Sequence, residues 1–462
     1  MKKFNLYFNT LKIGELTFDG MKSNTKLVYD SNWSQTKGSF SVLPTINKNE
    51  SIHTGEHVYN YFENLMPEES RREGLNVKES GLEELLKIHS SDSAGAIDIY
   101  SQDHNPNKIN LNSFKKFTLK ELSDKFKKNS HNFVKQLEKD IDHNFSIAGA
   151  QAKFTCRVKD GAIYFPDAGG ATTHIIKPIP YHNLGLSPRD RDITPFNEFI
   201  SMSIAKKIWT DTPKVNLIES DGINFYCVER YDRSVDGEDV IKSHQFDFCQ
   251  LIGKSSSEKY EDKNGPTLAE IRENIEIFCS NPIKDSEKYY DWILFNMYIS
   301  NIDCHSKNIS LVVDDNGSLK LAPFYDLMTM KIYRMGEKFP YMINGKNKLS
   351  NINGHDLEFL SLSFGIEKKY MIERAIYLER KIIKASNDVS IEIPKMDVSE
   401  EAKLKMFKMI DYINDSVDGF SKSLFIGQDC YAGETVCRNC GRPLKSLRSK
   451  ILGLGPECLR LI

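Results

Sequence analysis

Asp303-Cys304-His305-Ser306-Lys307-Asn308, followed one hairpin later by Pro323-Phe324-Tyr325-Asp326, is the stretch that decides how this chain folds. It sets an aspartate and an asparagine ahead of an apolar run from Ile309 to Val313. A turn at Asp314-Asp315-Asn316-Gly317 and a second aspartate come next. Phosphoryl transfer uses this order. One carboxylate accepts the proton of an attacking hydroxyl, the amide holds a metal, and the carboxylate beyond the hairpin holds metal against nucleotide phosphates. Asp and Asn also serve ordinary loops, so the stretch needs a nucleotide-gripping counterpart upstream.

Three elements can supply it. Ser146-Ile147-Ala148-Gly149-Ala150-Gln151-Ala152-Lys153 is a run of mostly small residues between strand-like segments. Small side chains let backbone N–H groups approach phosphate oxygens, and Lys153 can add charge. The run lacks the spaced glycines and Lys-Ser/Thr ending of a Walker A loop, and a tight hairpin remains the alternative. Lys177 ends the apolar strand Thr173-His174-Ile175-Ile176-Lys177, either gripping phosphates or simply solvated. Asn197-Glu198 opens the next helical pattern. Its carboxylate is placed to pair with Lys177, although Asn197 can equally be a helix cap.

The chain has 462 residues, enough for two or three domains with real cores, and a formal net charge of −2. So balanced a charge excludes a global field toward nucleic acid or membrane. No apolar run is long enough to span a bilayer, and the Met1-Lys2-Lys3-Phe4 start lacks a secretory apolar segment. A soluble cytoplasmic protein is expected, with no membrane partner. Cys156, Cys227, Cys249, Cys279 and Cys304 are scattered, as in a reduced interior, whereas Cys430, Cys437, Cys440 and Cys458 crowd the end.

Residues 1–105 read as a small mixed domain: strands Lys3–Phe8 and Ile13–Phe18 around a turn at Asn9-Thr10, helices at 57–65 and 81–88, and a strand within 91–100. Residues 102–112 form a polar linker, and 114–139 read as a basic-acidic helix. After Gly169-Gly170 and the Lys177 strand, 181–194 is loop-like and 197–209 helical. Strands at 214–219 and 224–230 meet at Asp221-Gly222. Beyond Ser243 the pattern turns helical, at 247–253, 268–279, 286–301, 356–362, 367–385 and 400–417. Strand-rich then helix-rich, with a nucleotide cleft between, suits a two-lobed architecture.

These elements together resemble the HipA family of serine/threonine kinases, toxins of HipBA-type toxin–antitoxin pairs. The likeness also includes Val228–Arg233 as a hinge, His244-Gln245-Phe246-Asp247-Phe248-Cys249-Gln250, Lys259-Tyr260-Glu261 and Gly265-Pro266. It implies an α+β, two-lobed protein-kinase-like fold. Residues 1–105 would be the N-terminal subdomain, 106–240 the N-lobe with its phosphate loop, 241–425 a helical C-lobe, and 426–462 a cysteine-rich zinc module.

The resemblance further implies that Asp303 is the catalytic base, that Asn308 and Asp326 hold Mg²⁺, and that Lys177 binds ATP phosphates. Ala148, Gly149, Ala150 and Lys153 would form the phosphate loop, Glu229 and Tyr231 would give backbone contacts to adenine, and His305 and Lys307 would join the nucleotide set. Ser146 matches a serine whose autophosphorylation switches the family's kinases off, since phosphate there adds charge where the nucleotide phosphates must lie. Implied partners are a helix-turn-helix antitoxin (HipB-like), DNA only through it, and a protein substrate such as an aminoacyl-tRNA synthetase. Phe246 and Ala152 stand where the family commonly has acidic residues, so substrate choice is open to drift.

Cys437-Arg438-Asn439-Cys440-Gly441-Arg442 followed by Gly453-Leu454-Gly455-Pro456-Glu457-Cys458 is a metal signature. Cys-x2-Cys with a following Gly forms a knuckle that aims two thiolates at one tetrahedral ion, Zn²⁺ by preference. Cys458 supplies a third ligand. Cys430 is the local candidate for the fourth, with Asp429 or a non-protein ligand as alternatives. A tail this short needs the metal as its main stabiliser. Its basic residues permit RNA, DNA or an acidic partner, or a merely solvated knuckle. Two other functions stay open: a small-molecule phosphotransferase on the same scaffold, and a non-catalytic partner of a DNA-bound antitoxin.

Overall fold

The computed structural model describes residues 2–66, 92–102, 114–141, 145, 151–159, 161–166, 170–179, 187–314, 316–333, 336–424, 436–437, 439–444, 449 and 455–459. At the N-terminus, Phe4, Leu6, Leu16 and Leu27 turn one face inward from strands Lys2–Phe8 (β1), Leu11–Phe18 (β2) and Lys26–Tyr29 (β3). Asn9 makes the β1–β2 turn at φ 54°, a left-handed conformation that Asn tolerates. With Ile52–Thr54 (β4) and Asp98–Ser101 (β5) these strands build an antiparallel sheet in the order β4-β3-β2-β1-β5. Helix Glu56–Asn64 lays Val58 and Phe62 into the same core.

A second, six-stranded antiparallel sheet holds Phe114–Phe117 (β6), Phe154–Lys159 (β7), Ala162–Pro166 (β8), His174–Pro178 (β9), Val215–Ser220 (β10) and Ile223–Glu229 (β11). Its order is β10-β11-β9-β7-β8-β6. Helices Leu119–Lys128 and Phe133–Ile141 cover it through a separate core of Phe126, Phe133, Leu137, Phe154, Phe165 and Phe225. Helix Thr194–Ile208 packs on β10 and β11 and reaches across to the C-terminal helices Lys368–Glu392 and Glu400–Leu424.

The remainder is not purely helical. A hairpin of Arg233–Asp236 (β12) and Asp239–Lys242 (β13) precedes a three-stranded sheet of Gln245–Asp247 (β14), Ser310–Val313 (β15) and Leu319–Leu321 (β16). A further hairpin pairs Lys338–Ile343 (β17) with Lys346–Lys348 (β18). Helix Pro282–Tyr298 runs through the centre, with Tyr289 to Tyr298 all buried. The main core is continuous from Phe4 in β1 to Leu424 at the end of the last long helix. Each large apolar side chain fully buried there contributes roughly 1.5–3 kcal/mol.

Several expectations need correcting. The helix expected over 114–139 begins as β6, and Thr118 with Glu121 forms a capping box that starts the helix only at Leu119. Asn129 then breaks the pattern into two helices. Ser187 caps a short helix, Pro188–Asp192, inside the segment expected to be loop. The helices expected at 197 and 286 begin at Thr194 and Pro282, each with a proline in its first turn. Asn197 is therefore a helical residue and not a cap. The expected helix at 81–88, Gly169 and most of the linker lie outside the described residues. Among the described residues no helix is long and apolar enough to cross a membrane.

Candidate active site

Lys177 lies in β9 opposite Tyr226 of β11, so the sheet fixes where its ammonium emerges. Nζ donates to Glu198 Oε1 at 2.6 Å and to Asp326 Oδ1 at 2.5 Å. Burial works against the ammonium, but the Asp326 and Glu198 carboxylates outweigh it and hold Lys177 charged well above the usual lysine range. Asp326 is half-buried, and although desolvation pushes it up, Lys177 and Lys153 hold it ionised, far below the ordinary carboxylate range. Glu198 is the softest member: burial pushes it up to about 7 in spite of Lys177. Two residues distant in sequence from the catalytic loop thus bring one carboxylate of the cleft to a fixed place.

Asn197 explains why that helix sits where it does. Its buried amide donates to Thr329 O at 2.8 Å and to Tyr333 Oη at 3.1 Å, while Oδ1 accepts from Thr329 N–H at 3.0 Å. The helix carrying Glu198 is thereby tied to the segment that follows Asp326. Asp326 itself has φ 55°, rare for a residue with a side chain.

The catalytic-loop candidates fold tightly on themselves. Asp303 N–H donates to Asn301 Oδ1 at 3.1 Å, and the Asp303 carbonyl accepts from His305 N–H at 2.9 Å and Asn308 Nδ2 at 2.9 Å. The amide of Asn308 spends a donor inside the loop, which leaves its oxygen as the end suited to a metal. Tyr260 Oη donates to Asp303 Oδ1 at 2.7 Å. His305 is buried, and desolvation with nearby Lys259 keeps its imidazole neutral, well below the usual range. Its Nδ1 has no partner among the described residues.

Lys153, Lys177, Glu198, Glu229, Tyr231, Asp303, His305, Lys307, Asn308 and Asp326 all line one cavity of about 430 Å³ between the six-stranded sheet and the helical region. Hard oxygen donors from Asn308 and Asp326 suit Mg²⁺. The unpaired nitrogen of buried His305 and the charged Lys153 and Lys177 suit a phosphate-bearing ligand. Ser146, Ala148, Gly149 and Ala150 lie outside the described residues.

Two expected roles look different in three dimensions. Lys307 lines the cavity, but its ammonium is engaged by Asn64 Oδ1 (2.7 Å), Asn64 O (3.0 Å) and Asp247 Oδ2 (3.1 Å). It pins the catalytic loop to helix 56–64 instead of standing free for a phosphate. Glu229 N–H is committed to Lys214 O at 2.9 Å, which narrows any adenine contact there to the carbonyl.

Arg230, Asp232 and Arg233, in the segment expected as a hinge, form a buried cluster with Asp92. Arg230 donates to Asp92 Oδ2 (2.9 Å), Asp232 Oδ1 (3.0 Å), Asp232 Oδ2 (2.9 Å) and Ser93 O (2.7 Å). Arg233 donates to Asp92 Oδ1 (3.1 Å), Asp232 Oδ2 (2.8 Å) and Gly95 O (2.8 Å). Burial opposes both carboxylates, but the two arginines hold Asp92 and Asp232 below the usual range. Nothing local in the sequence signals this, because Asp92 lies 138 residues from Arg230.

In the tail, the Sγ atoms of Cys437, Cys440 and Cys458 lie within 4.8 Å of one another. Gly441 at φ 68° closes the knuckle, with its N–H donating to Cys437 O at 2.8 Å. Gly455 N–H, with the N–H groups of Cys440 and Asn439, brings the Cys437 thiol down to about 6. Three soft thiols at this spacing fit one tetrahedral ion. Cys430 lies outside the described residues.

Three family models match the chain: the HipA N-terminal domain over residues 4–100, the HipA-like C-terminal domain over 145–401, and a family of unknown function (DUF6011) over 432–462. The serine/threonine-protein kinase toxin HipA of Shewanella oneidensis is 26% identical over 429 residues, covering 87% of this chain and 93% of that protein. The solved complex of Shewanella oneidensis MR-1 HipA with HipB and operator DNA contains a similar fold. Its TM-score is 0.74 at 23% identity, covering 90% of this chain and 96% of that one.

Proposed function

The chain belongs to the HipA-like family, and from that premise we propose that it is an ATP-dependent serine/threonine protein kinase acting as the toxin of a toxin–antitoxin pair. The observation that carries the reading is the Glu198–Lys177–Asp326 bridge, set in one cavity with Asp303 and Asn308. ATP supplies the transferable phosphoryl group, and Mg²⁺ neutralises charge on it. Lys177 holds the α- and β-phosphates, kept extended by Glu198. Asn308 and Asp326 would hold the metal, while Lys153 adds charge beside the phosphates. Asp303 orients the acceptor hydroxyl and takes its proton. Positioning and charge neutralisation supply most of the acceleration.

Finer assignments belong to the same proposal. The protein target is an aminoacyl-tRNA synthetase, and Ser146 is autophosphorylated as an off switch. A helix-turn-helix antitoxin restrains the kinase in the cytoplasm and links it to DNA. Residues 1–105, 106–240 and 241–425 act as subdomain, N-lobe and C-lobe. Residues 426–462 hold one Zn²⁺ through Cys430, Cys437, Cys440 and Cys458.

Incubating wild type and Asp303→Asn with labelled ATP, alone and with cell extract, tests the proposal. Label on Ser146 and on a discrete extract protein, with wild type only, is the expected result. Label on small molecules would redirect the reading to a small-molecule phosphotransferase. No label anywhere would leave a non-catalytic partner of the antitoxin.

A further inference from the structure

The segment from Ser255 to Gly265 has no catalytic assignment, yet it touches the catalytic carboxylate. Its backbone is closely specified. Ser255 and Glu258 cap one another through Ser255 N–H (3.0 Å) and Oγ (2.6 Å) to Glu258 Oε2. Asn264 turns left-handed at φ 62°, and Gly265 N–H returns to Tyr260 O at 2.9 Å. A Cβ on Gly265 would lie 2.4 Å from Glu258 O and 2.5 Å from Tyr260 O, so only glycine closes this turn.

The segment is also anchored on three sides. Glu63, at the end of helix 56–64, accepts from Ser256 N–H (2.9 Å) and Ser256 Oγ (2.6 Å). Lys259 O accepts from Ser306 N–H of the catalytic loop at 3.2 Å. Glu261 Oε2 accepts from Met342 N–H of β17 at 2.8 Å, and Asp262 pairs with Lys338. At the centre of this frame Tyr260 sets its ring edge-on to His305, 5.3 Å between centroids, and donates its hydroxyl to Asp303 Oδ1.

A carboxylate that must take a proton from an incoming hydroxyl has two oxygens and a free torsion. Fixing one oxygen fixes the other. We propose that Tyr260 is a positioning residue for Asp303: its hydroxyl, bonded to Oδ1, sets the rotation of the carboxylate toward the acceptor, and Glu63 of the N-terminal unit holds the segment that carries it. The inference rests on the kinase reading above. It adds that the N-terminal unit takes part in aligning the base.

Tyr260→Phe removes the hydroxyl and keeps the ring. The expected result is a kcat lower by about 10-fold to 100-fold, the scale of a misaligned reacting group. The KM and Kd for Mg·ATP should stay within twofold of wild type, and the melting temperature should not move. Glu63→Ala should give the same split with a smaller loss, and the double variant less than the product of the two losses, because both act through one contact. If Glu63→Ala folds poorly, Ser256→Ala removes one arm of the anchor with less disturbance. A Tyr260→Phe kcat within twofold of wild type overturns the proposal. Phosphotyrosine at residue 260 in wild type also overturns it, since the residue would then be an acceptor. Wild type that neither binds ATP nor transfers phosphate would instead bring down the kinase reading itself.

Discussion

In the hinge cluster every carboxylate oxygen of Asp92 and Asp232 meets an arginine, whereas in the cleft Glu198 Oε2 and His305 Nδ1 meet nothing among the described residues. Both regions bury opposite charges, and both join segments far apart in sequence. The hinge cluster satisfies its charges internally, save for Arg233 Nε, so it can hold the N-terminal unit against the lobe but has little left to offer a ligand. The cleft keeps polar atoms unspent beside a cavity. A buried ion pair is therefore a poor sign of function by itself, and what sets the cleft apart is unpaired polar atoms beside a cavity.

Substitutions can break this contrast. The largest effect should come from Asp303→Asn, which should lower phosphate transfer by about 10²–10⁴-fold, the usual worth of a general base, while leaving the unfolding midpoint in place. Initial rates and denaturant titrations on the same preparation would check both halves. Arg230→Ala should do the opposite. Stranding the buried carboxylates of Asp92 and Asp232 should cost about 3–5 kcal/mol of stability, read by chemical denaturation, and the fraction that remains folded should still bind ATP. Equal damage from both variants to both properties would erase the distinction.

Acid sharpens the comparison at smaller scale. Arg230 and Arg233 hold Asp92 and Asp232 below their unfolded value of 3.8. Their contribution to stability is present above that value and fades as pH falls through the folded pKa values. Asp92→Asn should flatten the fall in stability between pH 5 and pH 2, measured by the urea midpoint at each pH. Treatment with a metal chelator should matter least to the kinase. It should release about one metal per chain and loosen the tail, while ATP binding in the cleft stays unchanged.

The parts of the site that read from sequence are those whose geometry is local. Asp303 and Asn308 share one tight loop, Asp326 follows one hairpin, and Cys437 and Cys440 share one knuckle. Lys177 with Glu198 was legible because a strand and the helix after it carry them. The rest depends on contacts that no short window contains. Tyr260 meets Asp303 across 43 residues, and Asn197 meets Thr329 across 132. Lys307 was expected at the nucleotide from the family resemblance, but its ammonium is engaged by a helix made far earlier. The hinge cluster was hidden for the same reason, since Asp92 and Arg230 stand 138 residues apart.

The Lys307–Asn64 contact also bears on how the protein is made. A ribosome must add 243 residues after Asn64 before Lys307 exists, which at about 5–20 residues per second takes tens of seconds. Throughout that interval the nascent chain has half of an anchor and no partner for it. A chain stopped anywhere in that span lacks Lys307, Asn308 and Asp326, so the cavity they line can close only late in synthesis.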